Sequence, residues 1–328
     1  MRTLTLSITA VIGATLIQAP TPAYSAPKQY TIAVGSLGGT FGRLGAGLAE
    51  VYNKHSKDMK LSVVPGGGKA NPARIGSGGA DIGFGFGNLV KNARAGEFPY
   101  APKKFANLRM IAAFYSSCFH QYASKEMYDK GIKTFDDLVM SKDPLKVSVG
   151  KKGTSSEFIT GLIVGANGSS YKKLQSRGFK VVYAGVGASS RQIRSRSIDF
   201  YTHNAGIPNA AGLQAHLARD LTFLDLSKKT KAVLVKAGFQ SCVIPGGTYK
   251  GAKTDKHSVG TSGLVMGTDK TSSKLVYSFL KISWENKKTL GQVHKIFKKW
   301  TLKRASGDLG IPFHPGAIKF YKEKGLMK

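Results

Sequence analysis

Short apolar runs alternate with amphipathic stretches along most of the chain, and glycine-rich turns separate them. Residues 29–34 (QYTIAV) have the alternating pattern of a strand, a glycine-rich turn follows, and residues 41–55 have helical periodicity. The same order recurs, with strands predicted at 60–64 and 80–86 and a helix near 70–77. Strands that alternate with helices at this spacing indicate βαβ units and a parallel sheet.

The alternation continues toward the C terminus. Further strands are predicted at 108–115, 119–124, 145–150, 181–183, 198–202, 221–224 and 258–266. Further helices are predicted at 189–196, 208–217, 272–285 and 291–301. No internal repeat and no low-complexity linker interrupts the pattern. A chain that crosses more than once between two lobes has no single linker, and the sequence favours that architecture.

The first 25 residues have the pattern of a secretory signal peptide. Arg2 precedes an uncharged apolar run at 4–17, and small residues close the segment at 23–25 (AYS). The apolar run is shorter than the roughly 20 residues of a membrane-spanning helix. We therefore expect export to the periplasm, with the mature chain beginning at Ala26.

The charge balance is strongly basic, at +31 for 328 residues. Such a charge favours an anionic partner. Lysine and arginine are nonetheless scattered in short pairs, and neither a zinc-finger spacing nor a ribonucleoprotein motif occurs. The pattern favours a solvated basic surface and no nucleic-acid partner. The alternative is an exported cationic interaction protein that binds nucleic acid or anionic lipid.

The two cysteines, Cys118 and Cys242, each lie in a β-like run. An exported protein can join such a pair in a disulfide, but the sequence alone does not pair them, so both alternatives stay open. Two cysteines and seven scattered histidines show no metal-ligand spacing, and we expect neither a metal nor a cofactor.

Three glycine-rich turns, each between a predicted strand and a predicted helix, carry the candidate chemistry. They lie at 38–40, 67–71 and 153–156. Backbone N–H groups and helix N-termini at the carboxyl end of a parallel sheet bind anions. None of the turns matches the P-loop or the GxGxxG pattern. The sequence therefore predicts a cleft for a small anion.

Arrangements typical of catalysis were not found in the sequence. It contains neither a G-x-S-x-G nucleophile elbow nor an H-E-x-x-H metal motif. Asp136 and Asp137, a close acidic pair, fit the start of a helix. His203 and His314 are isolated, which is typical of structural histidines. We therefore expect a binding protein and no enzyme.

With these turns in their order, the chain resembles the solute-binding proteins of the tripartite ATP-independent periplasmic (TRAP) transporters, in the TAXI subfamily. The resemblance covers residues 29–328. Its marks are residues 34–41 (VGSLGGTF), 67–71 (GGKAN), 79–83 (GADIG), 147–156 (VSVGKKGTSS), 205–208 (AGIP), 244–249 (IPGGTY) and 309–321 (LGIPFHPGAIKFY).

The resemblance implies a type II periplasmic-binding-protein fold, in which two α/β lobes close on a ligand. Lobe 1 is expected at 26–117, lobe 2 at 118–244, and a return to lobe 1 with C-terminal helices at 245–328. The hinge is expected in the crossing strands near 118–124 and 242–266. The resemblance also implies a monomer that delivers its solute to the membrane subunits of a TRAP transporter.

Known solutes of that family are glutamate, glutamine and 2-oxoglutarate, and its site residues carry over by position. The positions are Gly39, Thr40, Phe41, Gly68, Asn71, Asn88, Tyr115, Gly153, Thr154, Ser155, Ser156, Asn204, Gly206 and Pro208. The chain departs from the family pattern at Gly42-Arg43 and at 85–88 (GFGN), which leaves the identity of the solute open. Arg43, Lys151 and Lys152 either add cations to the cleft or face solvent.

Overall fold

The computed structural model describes residues 26–36 and 38–328; the expected signal peptide lies outside this range. The strands are β1 Lys28–Ala33, β2 Met59–Val64, β3 Ile82–Phe86, β4 Leu108–Ser116, β5 Cys118–Ser124, β6 Lys146–Ser148, β7 Lys180–Val182, β8 Phe200–Ala205, β9 Leu221–Phe223, β10 Gln240–Ile244, β11 Lys256–Gly260 and β12 Ser262–Thr268. The helices are α1 Thr40–His55, α2 Ala70–Gly76, α3 Gly87–Ala95, α4 Lys125–Asp129, α5 Phe135–Met140, α6 Ser155–Ala166, α7 Tyr171–Ser176, α8 Val186–Arg194, α9 Ala210–Ala218, α10 Lys228–Lys236, α11 Ser273–Glu285, α12 Lys287–Val293, α13 Lys295–Lys299, α14 Leu302–Ala305 and α15 Pro315–Glu323. No helix in this range has both the length and the apolar character needed to cross a membrane.

Two five-stranded sheets organise the molecule. The first has the order β2-β1-β3-β12-β4 and the second β7-β6-β8-β5-β9. We call the first sheet with its helices lobe 1 and the second with its helices lobe 2. The predicted fold class, two α/β lobes, is confirmed.

The expectation of parallel sheets was wrong in part, because each sheet is mixed. In lobe 1, β1 runs parallel to β2 and β3, whereas β12 is antiparallel to β3 and β4. In lobe 2, β5 is antiparallel to β8 and β9. The strands β5 and β12 enter their sheets directly from another strand, without the crossover helix that a parallel βαβ connection needs.

The strand predicted at 258–266 is two strands that belong to different sheets. Its first part, β11, forms an antiparallel hairpin with β10, and its second part, β12, joins the sheet of lobe 1. The break is at Thr261, which faces Ser117, the residue between β4 and β5. The Ser117 N–H and hydroxyl both donate to the Thr261 carbonyl at 2.8 Å. The chain thus passes between the sheets at two adjacent points.

Two helical segments also differ from the sequence-based expectation. The helix α3 was not predicted, because the glycines at 85 and 87 read as part of a strand. The helix predicted at 291–301 is interrupted at His294, whose backbone is extended with φ −153°. Its side chain accepts a hydrogen bond from Ile296 N–H at the start of α13.

The disulfide lies beside the crossing between the lobes. Cys118 and Cys242 are bonded, with Cα atoms 6.0 Å apart, and so tie β5 to the β10–β11 hairpin. That pairing decides the alternative that the sequence left open. Because 124 residues separate the two cysteines, the bond constrains a large part of the unfolded chain.

Candidate functional site

A cleft lies between the lobes, at the glycine turns that follow the strands. Its cavity measures about 40 Å³, which in this closed arrangement leaves space for only a small occupant. The lining from lobe 1 is Gly35, Ser36, Gly39, Thr40, Phe41, Gly67, Gly68, Phe86 and Tyr115. The lining from lobe 2 is Gly150, Lys151, Thr154, Ser155, Ser156, Ala184, Val186, Thr202, His203 and Asn204.

The wall from lobe 1 is largely aromatic. Phe41, in the first turn of α1, packs on Phe86 with ring centroids 4.7 Å apart and meets Tyr115 edge-on at 6.1 Å. Burial raises the pKa of Tyr115, while a hydrogen bond with the Thr40 side chain opposes that shift. The Tyr115 hydroxyl is therefore protonated at neutral pH and available as a donor.

The wall from lobe 2 is polar. Ser155 and Ser156 begin α6, and both hydroxyls meet Asn204 of β8. The Asn204 N–H donates to Ser156 Oγ at 3.0 Å and its Nδ2 to Ser155 Oγ at 3.2 Å. Burial lowers the pKa of His203 to about 4, so its imidazole is neutral at pH 7. Among the described residues, Asn204 Oδ1 and His203 Nδ1 have no hydrogen-bond partner.

Three helices of at least nine residues begin at the cavity: α1, α6 and α8. A helix N-terminus carries unsatisfied N–H groups and a partial positive charge. None of the described lining residues is acidic, and Lys151 is the only one of them with a formal charge. Glu157, in the first turn of α6, instead pairs with Lys69 of lobe 1. The electrostatics of the cavity therefore favour an anion.

The two lobes touch directly beside the cavity. The N–H groups of Lys69 and Ala70 both donate to the Gly153 carbonyl, at 3.2 and 3.0 Å. Lys69 Nζ lies 3.6 Å from Glu157 Oε2. A Cβ atom on Gly67 would overlap the Gly153 carbonyl oxygen, so glycine at this position permits the approach. The structure thus describes a closed arrangement.

Most of the predicted site residues line the cavity. They are Gly39, Thr40, Phe41, Gly68, Tyr115, Thr154, Ser155, Ser156 and Asn204. Lys151 lines it too. Arg43 is exposed on α1 and is not part of the lining, and Lys152 Nζ lies over the Tyr183 ring at 4.9 Å.

The structure places five of the predicted residues outside the lining. Asn71 is buried beneath its turn, where Nδ2 donates to the carbonyls of Val34 and Phe84, each at 2.8 Å. Asn88 Nδ2 donates to the Ala237 carbonyl at 3.2 Å, away from the cavity. Gly153 lies in the contact between the lobes. The remaining two are Gly206 and Pro208.

Sequence reasoning missed part of the lobe 2 wall. Ala184 and Val186 flank Gly185, the N-cap of α8, so this is a fourth strand–glycine–helix turn that the sequence could have shown. Thr202 and His203 carry no such local signal. They reach the cavity because β8 pairs with β5 and β6, which lie far away in the sequence.

Within the described residues, no group of three histidine, cysteine, aspartate or glutamate side chains is placed to hold a metal. The two α/β lobes and the cleft between them define the fold of the periplasmic solute-binding proteins. The chain belongs to the NMT1-like family, whose model matches residues 32–325.

Solved structures agree with this fold. MatC from Rhodopseudomonas palustris with bound malate is 14% identical, with a TM-score of 0.50 over 82% of this chain and 88% of that chain. The alkanesulfonate-binding protein SsuA from Xanthomonas axonopodis pv. citri, bound to MOPS, is 13% identical, with a TM-score of 0.44 over 93% of this chain and 96% of that one.

Proposed function

We propose that this protein is an exported solute-binding protein that captures a small organic anion between its lobes and delivers it to a TRAP-type permease. The observation that carries the proposal is the convergence of three helix N-termini on a cavity whose described lining has no carboxylate. Hydroxyl and amide groups of Thr40, Ser155 and Asn204 lie beside them. Such groups stabilise an anion by charge-assisted hydrogen bonds.

Capture would proceed by closure of the two lobes. In this proposal lobe 1 comprises 26–117 and 245–328, lobe 2 comprises 118–244, and the pair Ser117–Thr261 lies at the hinge. An anion that first binds the donors of one lobe gains those of the other when the lobes meet. Closure also excludes water, which lowers the local dielectric constant and strengthens each charge-assisted bond. The solute thereby selects the closed form.

The solute class is proposed from two sources. The TAXI resemblance suggests glutamate, glutamine or 2-oxoglutarate, and the protein MatC was solved with malate. Each candidate other than glutamine carries net negative charge, in agreement with the cavity. We propose binding without turnover, because the His203 imidazole is the single imidazole of the described lining and burial lowers its pKa to about 4, far below that of a general base at neutral pH.

A ligand screen tests the proposal. Purified protein is melted with glutamate, glutamine, 2-oxoglutarate, malate and an alkanesulfonate, and hits are titrated by calorimetry. A ligand that binds only the native state raises the melting temperature. We expect at least one anion to do so and to make the protein more compact in solution scattering. Failure of every anion to change either quantity would refute the proposal.

Variants locate the site. Ser155→Ala removes a hydroxyl from the lobe 2 wall and should weaken binding about tenfold, the effect of losing one hydrogen bond to a charged group. Ser176→Ala changes an exposed serine on α7 and serves as the control, with unchanged affinity. Equal affinities of the two variants would place the solute elsewhere.

Uptake experiments test the transporter class. In vesicles that contain the cognate permease, a TRAP system takes up solute when an ion gradient is imposed without ATP. Uptake that requires ATP and survives collapse of the gradient would refute the TRAP assignment and leave solute binding intact.

A further inference from the structure

A strongly basic surface lies on lobe 1, apart from the lining of the cleft. Residues 286–307 contain no aspartate or glutamate. They carry seven cations: Lys287, Lys288, Lys295, Lys298, Lys299, Lys303 and Arg304. All except Lys287 are exposed. We call the six exposed cations, which lie on α12, α13 and α14, the basic face.

No cation of the basic face forms an ion pair within the described part of the chain. Exposed lysines elsewhere do. Lys125 pairs with Asp129 at 2.6 Å, Lys274 with Asp58 at 3.0 Å and Lys250 with Asp220 at 3.2 Å. The basic face therefore concentrates positive charge that the protein itself does not neutralise.

Buried side chains hold the basic face in place. Trp300, between α13 and α14, stacks on Phe114 with centroids 4.8 Å apart, and its Nε1 donates to the Ala113 carbonyl at 3.0 Å. Leu290 and Phe297 are fully buried beneath the same helices. The cations consequently project from a fixed surface.

A half-buried histidine within this segment reports the local field. The pKa of His294 is lowered by burial and further by the charges of Arg43 and Lys295. Arg43 is exposed on the neighbouring helix α1 and extends the positive region.

We infer that the basic face docks the protein on an anionic phospholipid surface. Specific protein interfaces are enriched in aromatic residues and arginine and depleted in lysine. Here five of the six exposed cations are lysines, and Val293, 43% exposed, is the only large exposed apolar residue among residues 286–307. Lysines without an apolar anchor suit a diffuse layer of headgroup phosphates better than a shaped protein surface.

Vesicle co-sedimentation tests the inference. The probes are vesicles of phosphatidylcholine alone and with 30% phosphatidylglycerol, at 50 and 150 mM NaCl. Wild-type protein should bind only the anionic vesicles, and at least tenfold more weakly at the higher salt, because the Debye length shortens to about 8 Å at physiological ionic strength.

Two triple variants with the same change in net charge separate the basic face from total charge. Lys295→Glu/Lys298→Glu/Lys299→Glu alters α13 and should weaken vesicle binding at least tenfold. Lys172→Glu/Lys228→Glu/Lys236→Glu alters exposed lysines of lobe 2 and should weaken it less than threefold. Replacement of the same α13 lysines by Gln provides a second test if the reversed charges impair folding, which is checked by thermal melting.

Three outcomes would overturn the inference. One is absence of binding to anionic vesicles, and another is equal loss in the two triple variants, which would attribute binding to net charge. The third is binding to polyglutamate, dependent on the α13 lysines, without binding to vesicles, which would indicate an acidic protein partner. The solute screen is independent of each outcome.

Discussion

The two walls of the cleft come from the same strand–glycine–helix pattern, yet they differ in chemistry. Lobe 1 presents Phe41, Phe86 and Tyr115, whereas lobe 2 presents serines, Thr202, His203 and Asn204. A glycine turn positions a helix N-terminus, but the side chains around it come from neighbouring strands. The difference suggests a division of roles, in which lobe 1 packs on the apolar part of a solute and lobe 2 satisfies its polar groups.

The supports of the two turns differ as well. In lobe 1 the buried Asn71 amide joins the turn to two strands, and its Oδ1 accepts from Gly67 N–H at 3.1 Å. In lobe 2 the Thr154 hydroxyl donates to the Lys151 carbonyl at 2.7 Å and accepts from Glu157 N–H at 3.3 Å. The first support ties elements together, and the second is local.

The largest effect is expected from Asn71→Ala. The substitution leaves strand carbonyls without their donor in a fully buried position, and we expect the free energy of unfolding to fall by about 3 kcal/mol. Urea unfolding followed by circular dichroism measures the change. A loss no greater than that of Thr154→Ala would contradict the contrast between the two supports.

Acid should destabilise lobe 2 through its buried histidines. Burial is the main cause that lowers the pKa of His120 to about 3 and of His203 to about 4. Both are neutral when folded, and the unfolded chain takes up protons below about pH 6.5. Their contribution to stability is therefore complete above pH 6.5 and is lost as the pH falls toward 4.

Between pH 6.5 and pH 5 each of these histidines should cost about 1.5 kcal/mol of unfolding free energy. Urea titrations at the two pH values measure the loss, and His120→Gln should reduce it by one histidine's share. An unchanged pH dependence in that variant would show that His120 does not titrate in this way.

A smaller effect is expected from Thr154→Ala. Loss of an N-cap side chain costs about 1 kcal/mol, and α6 has no other side-chain cap at that position. Urea unfolding measures the loss, with Ser176→Ala as a control on the surface of the same lobe. A loss above 2 kcal/mol would mean that the turn of lobe 2 also holds distant elements.

The smallest effect on stability is expected from Glu157→Gln. The side chains of the Lys69–Glu157 pair are 32% and 15% exposed, and such a pair contributes about 0.5 kcal/mol. Because the pair joins the lobes, the variant should favour a more open ligand-free protein, visible as a larger radius of gyration in solution scattering. Glu97→Gln, at an exposed and unpaired glutamate, should leave the radius unchanged. Equal radii would show that the pair does not hold the lobes.

Local features could be predicted from the sequence alone. The helix predicted at 41–55 begins one residue earlier, at Thr40, and the turn at 153–156 leads into α6 at Ser155. Asp136 and Asp137 do begin a helix, where Thr134 and Asp137 form a capping box. These signals are local, because capping groups, glycine turns and helical periodicity act within a few residues. The two-lobe class and most of the lining follow from them and from the family resemblance.

Only the tertiary structure decided how distant segments meet. Cys118 pairs with Cys242, the apolar run at 258–266 divides between two sheets at Thr261, and Asn71 lies beneath the cleft that its motif seemed to line. A buried strand has the same apolar pattern in either sheet, so its sequence cannot say which partners it takes. His203 and Asn204 reach the cavity through pairings with strands up to 86 residues away, measured from His203 to Phe119 (84) and from Asn204 to Cys118 (86), in the register β5–β8. Packing of remote elements, which no local pattern encodes, therefore determined the chemistry of the site.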